Sequence, residues 1–281
     1  MHGMHARLPK NFVLEERLER YADAIELEPT RWAGRWAQAC YPLEGTAPHG
    51  ERAGKGERGF EAVCLDLGCG KGAFLTEAAR RNPNVLYVGI DAEPLCIAYT
   101  AQRIFESGLR NAVVVPGTGS AVSRMFGPAE LDRIHVNFPT PFPRKKEAPK
   151  RLVILDRLLE YRSVLAPGAT LRLRTDSLPL REFALTQLDL AGYRVVWSSD
   201  DERTERPDEP SSEYEERLTA QGAKVYGLWA TPGEDPGPVE QTASLSLVDY
   251  LPSDLFGNGY VPHGMSGTIT NLRNRAIRQG R

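Results

Sequence analysis

The chain lacks any apolar run approaching the roughly 18 residues that span a bilayer, and Met1 to Arg7 carry no apolar core of the kind an export signal needs. No membrane partner is therefore expected. Cysteine is scarce, and Cys40, Cys64, Cys69 and Cys96 show no zinc-type pairing. Cys64 falls in a predicted strand and Cys69 in a turn, so the expectation is packed, reduced thiols in a cytoplasmic protein, with no metal. A surplus of charge of one sign is missing too. The net charge of −2 leaves any affinity for nucleic acid to local patches. There is no internal repeat. What remains is a globular composition, 41% hydrophobic and 26% charged, which over 281 residues suits one large α/β domain with extensions better than two small ones. Nothing in the sequence decides between a monomer and a homodimer.

The densest signal is Val63-Cys64-Leu65-Asp66-Leu67-Gly68-Cys69-Gly70-Lys71-Gly72. The apolar lead reads as a buried strand. Gly68, Gly70 and Gly72 fall at every second position, where a missing Cβ lets backbone turn sharply and lie against a ligand. Ala73, Phe74, Glu77, Ala78 and Ala79 then suit a helix. A second strand, 85–90, ends in Asp91, about 20 residues beyond the glycines, the distance at which nucleotide-binding sheets place a carboxylate on ribose hydroxyls. Acids at Asp66 and Asp91 on either side of the turn suit a cationic ligand better than a pyrophosphate. S-adenosyl-L-methionine, with its sulfonium and ammonium, fits that description.

Along the chain, residues 1–55 read as an N-terminal arm and linker, with a short helix within 15–25 and Trp32 and Trp36 on one helical face. Strands are predicted at 61–67, 85–90, 112–115, 133–136 and 169–174. Helices are predicted at 72–81, 94–107, 148–165 and 179–191, with Pro94 and Pro179 in first turns and Ser177 as a cap. The alternation implies a Rossmann-like, doubly wound and mostly parallel sheet. Two more strands, 193–197 and 224–229, flank an acidic stretch and read as an antiparallel hairpin completing seven strands. The α/β domain is thus expected over 56–232. Residues 233–281, rich in Pro and Gly at their start, are expected to be a poorly ordered tail apart from 245–251.

Three further stretches carry chemistry. His135-Val136-Asn137-Phe138-Pro139-Thr140-Pro141-Phe142-Pro143-Arg144-Lys145-Lys146 follows the fourth strand, at the sheet edge where open α/β folds bind ligands. Its prolines stiffen the loop, and its aromatics followed by Arg144, Lys145, Lys146, Lys150 and Arg151 suit an unstacked base with its phosphates. Asp176, ending the fifth strand, is placed to accept hydrogen bonds from guanine N1 and N2, or to cap a helix. Ser212 and Glu215 have capping-box spacing.

Together these residues resemble the bacterial tRNA (guanine-N7-)-methyltransferase family. Asn137-Phe138-Pro139-Thr140-Pro141-Phe142-Pro143-Arg144-Lys145 is similar to the family's Asn-Phe-Pro-Asp-Pro-Trp-Pro-Lys-Lys. Thr175-Asp176 and Ser212-Glu213-Tyr214-Glu215 resemble its Thr-Asp and Thr-Glu-Tyr-Glu elements, and Pro29 to Trp36 its N-terminal stretch. The resemblance implies methyl transfer from S-adenosyl-L-methionine to the variable-loop guanine of tRNA. It implies cofactor contacts at Asp66, Asp91, Thr118 and Thr140, beside Gly68, Gly70, Gly72 and Asn137, and tRNA contacts at Arg144, Asp176, Ser212, Glu213, Tyr214 and Glu215.

Two departures matter. The family carries Asp where this chain has Thr118, and Asp at the active-site position held here by Thr140. Guanine N7 already has a free lone pair, so no base is needed to expose it, and alignment of the reactants supplies much of the catalysis. The alternative expectation is a weak or inactive homologue that binds tRNA or cofactor without turnover.

Overall fold

Six residues, Ala62–Leu67, form strand β1 at the middle of the protein, and every one from Val63 on is buried. The computed structural model describes residues 12–39, 59–252 and 260–278. Cys40, most of the predicted linker and the far N-terminus lie outside these residues. In chain order the remaining strands are β2 (Val85–Asp91), β3 (Ala112–Pro116), β4 (Leu131–Asn137), β5 (Leu165–Thr175), β6 (Tyr193–Ser199) and β7 (Tyr226–Pro232). The helices are α1 (Leu14–Arg20), α2 (Ala73–Arg81), α3 (Pro94–Glu106), α4 (Val122–Met125), α5 (Leu155–Val164), α6 (Leu178–Leu190), α7 (Glu202–Glu205), α8 (Glu213–Thr219) and α9 (Ser266–Arg278).

The strands form one seven-stranded sheet in the order β3-β2-β1-β4-β5-β7-β6. β1 to β5 run parallel, and β7 runs antiparallel to both β5 and β6. This is the expected doubly wound sheet with its antiparallel end. Because β1 lies between β2 and β4, the connections leaving β1 and β4 diverge, and a crevice opens at their carboxyl ends. Successive strand residues point to opposite faces. Leu65, Leu67, Val88 and Ile90 therefore join the larger core cluster, while Cys64, Tyr87 and Val114 join the cluster on the other face with α2 and α3. Both faces are covered, as a parallel sheet requires.

Several expectations need correction. Trp32 and Trp36 do not share a helical face. They sit in separate single-turn 3-10 segments, Pro29–Trp32 and Trp36–Gln38, divided by Gly34 at a φ of 81°. Both indoles are nonetheless buried, Trp36 stacking on Phe126 at 5.4 Å. The helix expected from residue 148 begins only at Leu155, because a 3-10 segment, Lys145–Lys150, carrying Pro149 comes first. The tail, expected to be poorly ordered, instead packs on the larger core: Leu247, Met265 and Ile269 are buried there, and α9 spans 13 residues. Met265, Ile269 and Leu272 there have the i, i+4, i+7 spacing of one helical face, a local signal that the Pro- and Gly-rich start of the segment obscured. Among the described residues no helix is long and apolar enough to cross a membrane.

Candidate functional site

The turn after β1 is held open by backbone conformations that glycine alone adopts freely. Gly68, Gly70 and Gly72 have φ of 80°, 57° and 75°. A Cβ on Gly72 would lie 2.7 Å from the Thr100 side chain, whereas one on Gly70 would meet nothing within 4 Å. The space beside Gly70 is the open side of the turn. Two side chains pin it from behind: Asp91 Oδ2 accepts the Gly70 N–H at 2.9 Å, and the Thr100 hydroxyl donates to the Gly70 carbonyl at 2.9 Å. Asp91 Oδ1 accepts the Glu93 N–H, which organises the start of α3. Burial raises the Asp91 carboxyl above its usual range, against three backbone N–H groups that favour its charge.

β1 and β4 bring Asp66 and Asn137 together across the crevice. Asn137 Nδ2 donates to Asp66 Oδ1 at 3.1 Å. Asp66 is 1% exposed, and burial pushes its carboxyl up to about 7, only partly opposed by the Asn137 hydrogen bond and reinforced by the charge of Asp91. The other oxygen of each group, Asp66 Oδ2 and Asn137 Oδ1, is buried without a hydrogen-bond partner among the described residues. Orphaned acceptors of this kind cost free energy unless a donor arrives. Two of them side by side, one an acid, match a ligand that brings an ammonium. Beside Asp66 in the sheet, His135 packs on Phe74 at 4.8 Å, and burial with the field of three arginines holds it far below its usual pKa. It is a neutral core residue, as its strand position suggested.

The proline loop leaves β4 in the same crevice. Phe138 and Phe142 adopt left-handed φ of 48° and 46°, an uncommon and costly conformation for an aromatic residue. The Phe142 end of the loop is held by a buried arginine. Arg151, placed with the basic patch on sequence, is 1% exposed and is corrected to a clamp. Its guanidinium donates to the carbonyls of Pro141 (3.1 Å) and Phe142 (2.7 Å) and lies 4.4 Å from the Phe183 ring centre. Arg144, Lys145, Lys146 and Lys150 do form an exposed face, with Arg144 held in a two-pronged ion pair by Glu147. Thr140 and Thr118 are exposed, and the Thr118 hydroxyl is shared with that of Ser120 at 2.6 Å.

The remaining substrate candidates divide. Glu215 is withdrawn from solvent: it is 1% exposed and ion-paired with buried Arg174 at 2.8 Å, a contact that turns it away from any large ligand. Ser212 accepts the Glu215 N–H at 3.1 Å and caps α8, while Glu213 reaches Arg103 on α3. Tyr214 stays at the site, edge-on to Phe138 at 5.8 Å and to His263 at 5.6 Å. Asp176 is nearly buried, and its Oδ2 accepts both the Tyr260 hydroxyl (2.7 Å) and the His263 N–H (2.8 Å). Tyr260 and His263 were invisible to sequence reading, since each is an isolated polar residue in a stretch without period.

A family model described as "Putative methyltransferase" matches residues 61–228. The tRNA (guanine-N(7)-)-methyltransferase of Lactiplantibacillus plantarum is 30% identical over 216 residues, covering 75% of this chain and 91% of that protein. The enzyme of the same name from Streptococcus equi subsp. zooepidemicus is 28% identical over 227 residues, covering 80% of this chain and 99% of that one. Among solved structures, the 16S rRNA methyltransferase KamB aligns with a TM-score of 0.49 at 19% identity, over 62% of this chain and 89% of that chain.

Proposed function

The chain belongs to the tRNA (guanine-N(7)-)-methyltransferase family, and we propose from that membership and the geometry of its crevice that it methylates N7 of the variable-loop guanine of tRNA in the cytoplasm. S-adenosyl-L-methionine supplies an electrophilic methyl group on a sulfonium, which the N7 lone pair of guanine displaces in line, leaving a thioether and a cationic 7-methylguanine.

The observation that carries this reading is the pair of orphaned acceptors, Asp66 Oδ2 and Asn137 Oδ1, at the switch point of the sheet. They would hold the amino-acid end of the cofactor. Gly68, Gly70 and Gly72 would let its sugar lie against the backbone, with Asp91 toward the ribose and Thr118 toward the base. Asn137 and Thr140 would flank the reacting centre. Arg144 and Tyr214 would meet the RNA, with Ser212 and Glu213 at the edge. No side chain has to remove a proton from N7, so the task of Thr140 is to position. A carboxylate at that place would stabilise the cation that forms.

The test is transfer of labelled methyl to unmodified tRNA, with the product mapped. We expect 7-methylguanine at one position in the variable loop. Thr140→Asp is expected to raise kcat by about tenfold or more, by electrostatic stabilisation of the kind an added oxyanion-hole donor gives with the opposite sign. Absence of 7-methylguanine with both the wild type and Thr140→Asp sinks the proposal.

A further inference from the structure

The proline loop does not face open solvent. Opposite it stands α9, and between them lies a polar cleft of about 340 Å3, lined on one side by Thr140, Phe142 and Arg144 and on the other by Gly267, Thr268 and Asn271. Such a volume is at the lower end of small-ligand sites and suits one nucleotide rather than a duplex. The α9 side lies beyond residues 61–228, which the family model covers.

α9 is anchored so that it can act as a wall. Met265 and Ile269 are buried in the main core, and the Ser177 hydroxyl donates to Met265 Sδ at 3.2 Å. The strap that leads into α9 is held by Asp176, through the Tyr260 hydroxyl and the His263 N–H. Where strap and helix meet, a Cβ on Gly264 would lie 3.0 Å from the Pro141 ring, so the C-terminal segment touches the proline loop directly. Thr268 and Asn271 then present a hydroxyl and an amide across the cleft from Thr140. An amide carries a donor and an acceptor on one edge, the pattern that reads a base edge, while hydroxyls accept either polarity. The exposed Arg144 lines the cleft, and the exposed Lys145 and Lys146 follow it in the chain, where a backbone phosphate would lie.

We propose that α9 is part of the RNA site: Thr268 and Asn271 contact a single unstacked nucleotide of the tRNA that enters the cleft beside Thr140, and Asp176 acts as the latch that holds this wall in place. The inference rests on the tRNA reading above. It also gives Asp176 a positioning role, because its Oδ2 already accepts two hydrogen bonds from the strap.

Gly267 provides the test, since a Cβ there meets nothing within 4 Å and a large side chain can enter the cleft without disturbing the fold. Gly267→Trp is expected to lower kcat/KM for tRNA by about 10²-fold, as misplacing a reactant by an ångström does, while cofactor affinity and melting temperature stay unchanged. Asn271→Ala is expected to raise KM for tRNA about tenfold, the cost of one lost bidentate base contact, with little change in kcat. In parallel, tRNA carrying 6-thioguanosine in the variable loop is photo-crosslinked to the full-length protein, and the attachment should fall within residues 260–278 and disappear in Gly267→Trp. Wild-type kcat/KM in Gly267→Trp, or crosslinks confined to other segments, overturns the proposal. Absence of methylation by both the wild type and Thr140→Asp sinks the function proposed above, and the crosslink still decides whether α9 meets RNA.

Discussion

A carboxyl buried as deeply as that of Asp66 keeps its proton to about pH 7. An ammonium ligand favours the ionised form, so binding has to expel that proton when the pH is lower. Cofactor affinity is therefore expected to fall as pH drops below 7, by up to about tenfold per unit. It should fall again above about 8, where the ligand's own α-ammonium loses its charge. Asp66→Asn should weaken binding and remove the low-pH limb. Calorimetric titration with S-adenosyl-L-methionine between pH 5.5 and 8.5 checks this, and an unchanged low-pH limb in the variant would show that Asp66 is not the group responsible. At this scale the sequence was informative about position more than environment. Asp66, Asn137 and the glycines could be placed because strand ends and tight turns are written in local pattern. Arg151 and Glu215 could not, because a buried ion and a solvated one are spelled with the same letter.

The proline loop shows the same limit one level up. Its location at a strand end was legible, and so was its stiffness. Its shape was not: Phe138 and Phe142 are left-handed, and the Phe142 carbonyl is held by Arg151, nine positions further along the chain. Removing that clamp in Arg151→Ala leaves two carbonyls without their donor, at a cost of about 2–4 kcal/mol. Melting temperature should drop by roughly 5–15 °C, and Arg151→Lys should recover little, since a lysine cannot supply the planar fork. Recovery to wild-type stability by lysine would contradict the clamp. The exposed cations behave differently. Alanine at Arg144, Lys145 and Lys146 together should leave the fold and cofactor affinity alone, and should reduce the slope of log affinity for tRNA against log salt by about 2–3. Filter binding across a salt series measures it, and a parallel loss of cofactor binding would mark the segment as structural. Strand ends also carried surprises. β5 starts at Leu165 rather than 169: its register with β4 shifts between Leu131 and Arg133, and the strand runs through Pro167 and Gly168.

Across the whole molecule, buried acids couple stability to pH in an unusual direction. Glu202, ion-paired with Arg174 at 3.5 Å, is pushed up to about 7 because desolvation outweighs the arginine's field, and Asp66 lies near the same value. A raised carboxyl favours the folded state while protonated in it. That contribution is full below the ordinary carboxylate range and is lost as pH rises toward 7. Buried, neutral His135 opposes this below about pH 6.5, but two acids outweigh one imidazole, so the cofactor-free protein should still melt higher at pH 5.5 than at pH 7.5. Saturating cofactor should narrow the gap, because it stabilises ionised Asp66. Scanning calorimetry in both states checks it, and a lower melting temperature at pH 5.5 would contradict the buried-acid account. The mostly parallel sheet and its antiparallel end could be read from the alternation of strands and helices, but the strand order could not. The helical spacing of Met265, Ile269 and Leu272 was legible too, but not where that helix docks, because the contacts of its strap with Asp176 and Pro141 are long-range.

The hydrogen bond from the Leu247 N–H to the Pro143 carbonyl ties the proline loop to chain synthesised a hundred residues later. During translation, the cofactor crevice can close once β5 has emerged and the hairpin of β6 and β7 has paired. The RNA-facing loop, by contrast, waits for Leu247, and its opposite wall waits for Tyr260 and α9. A chain that has emerged only to Pro232 holds the glycine turn, Asp66 and Asn137 but lacks both the tie on the proline loop and the wall opposite it. The two halves of the active site are finished at different moments in the life of the chain.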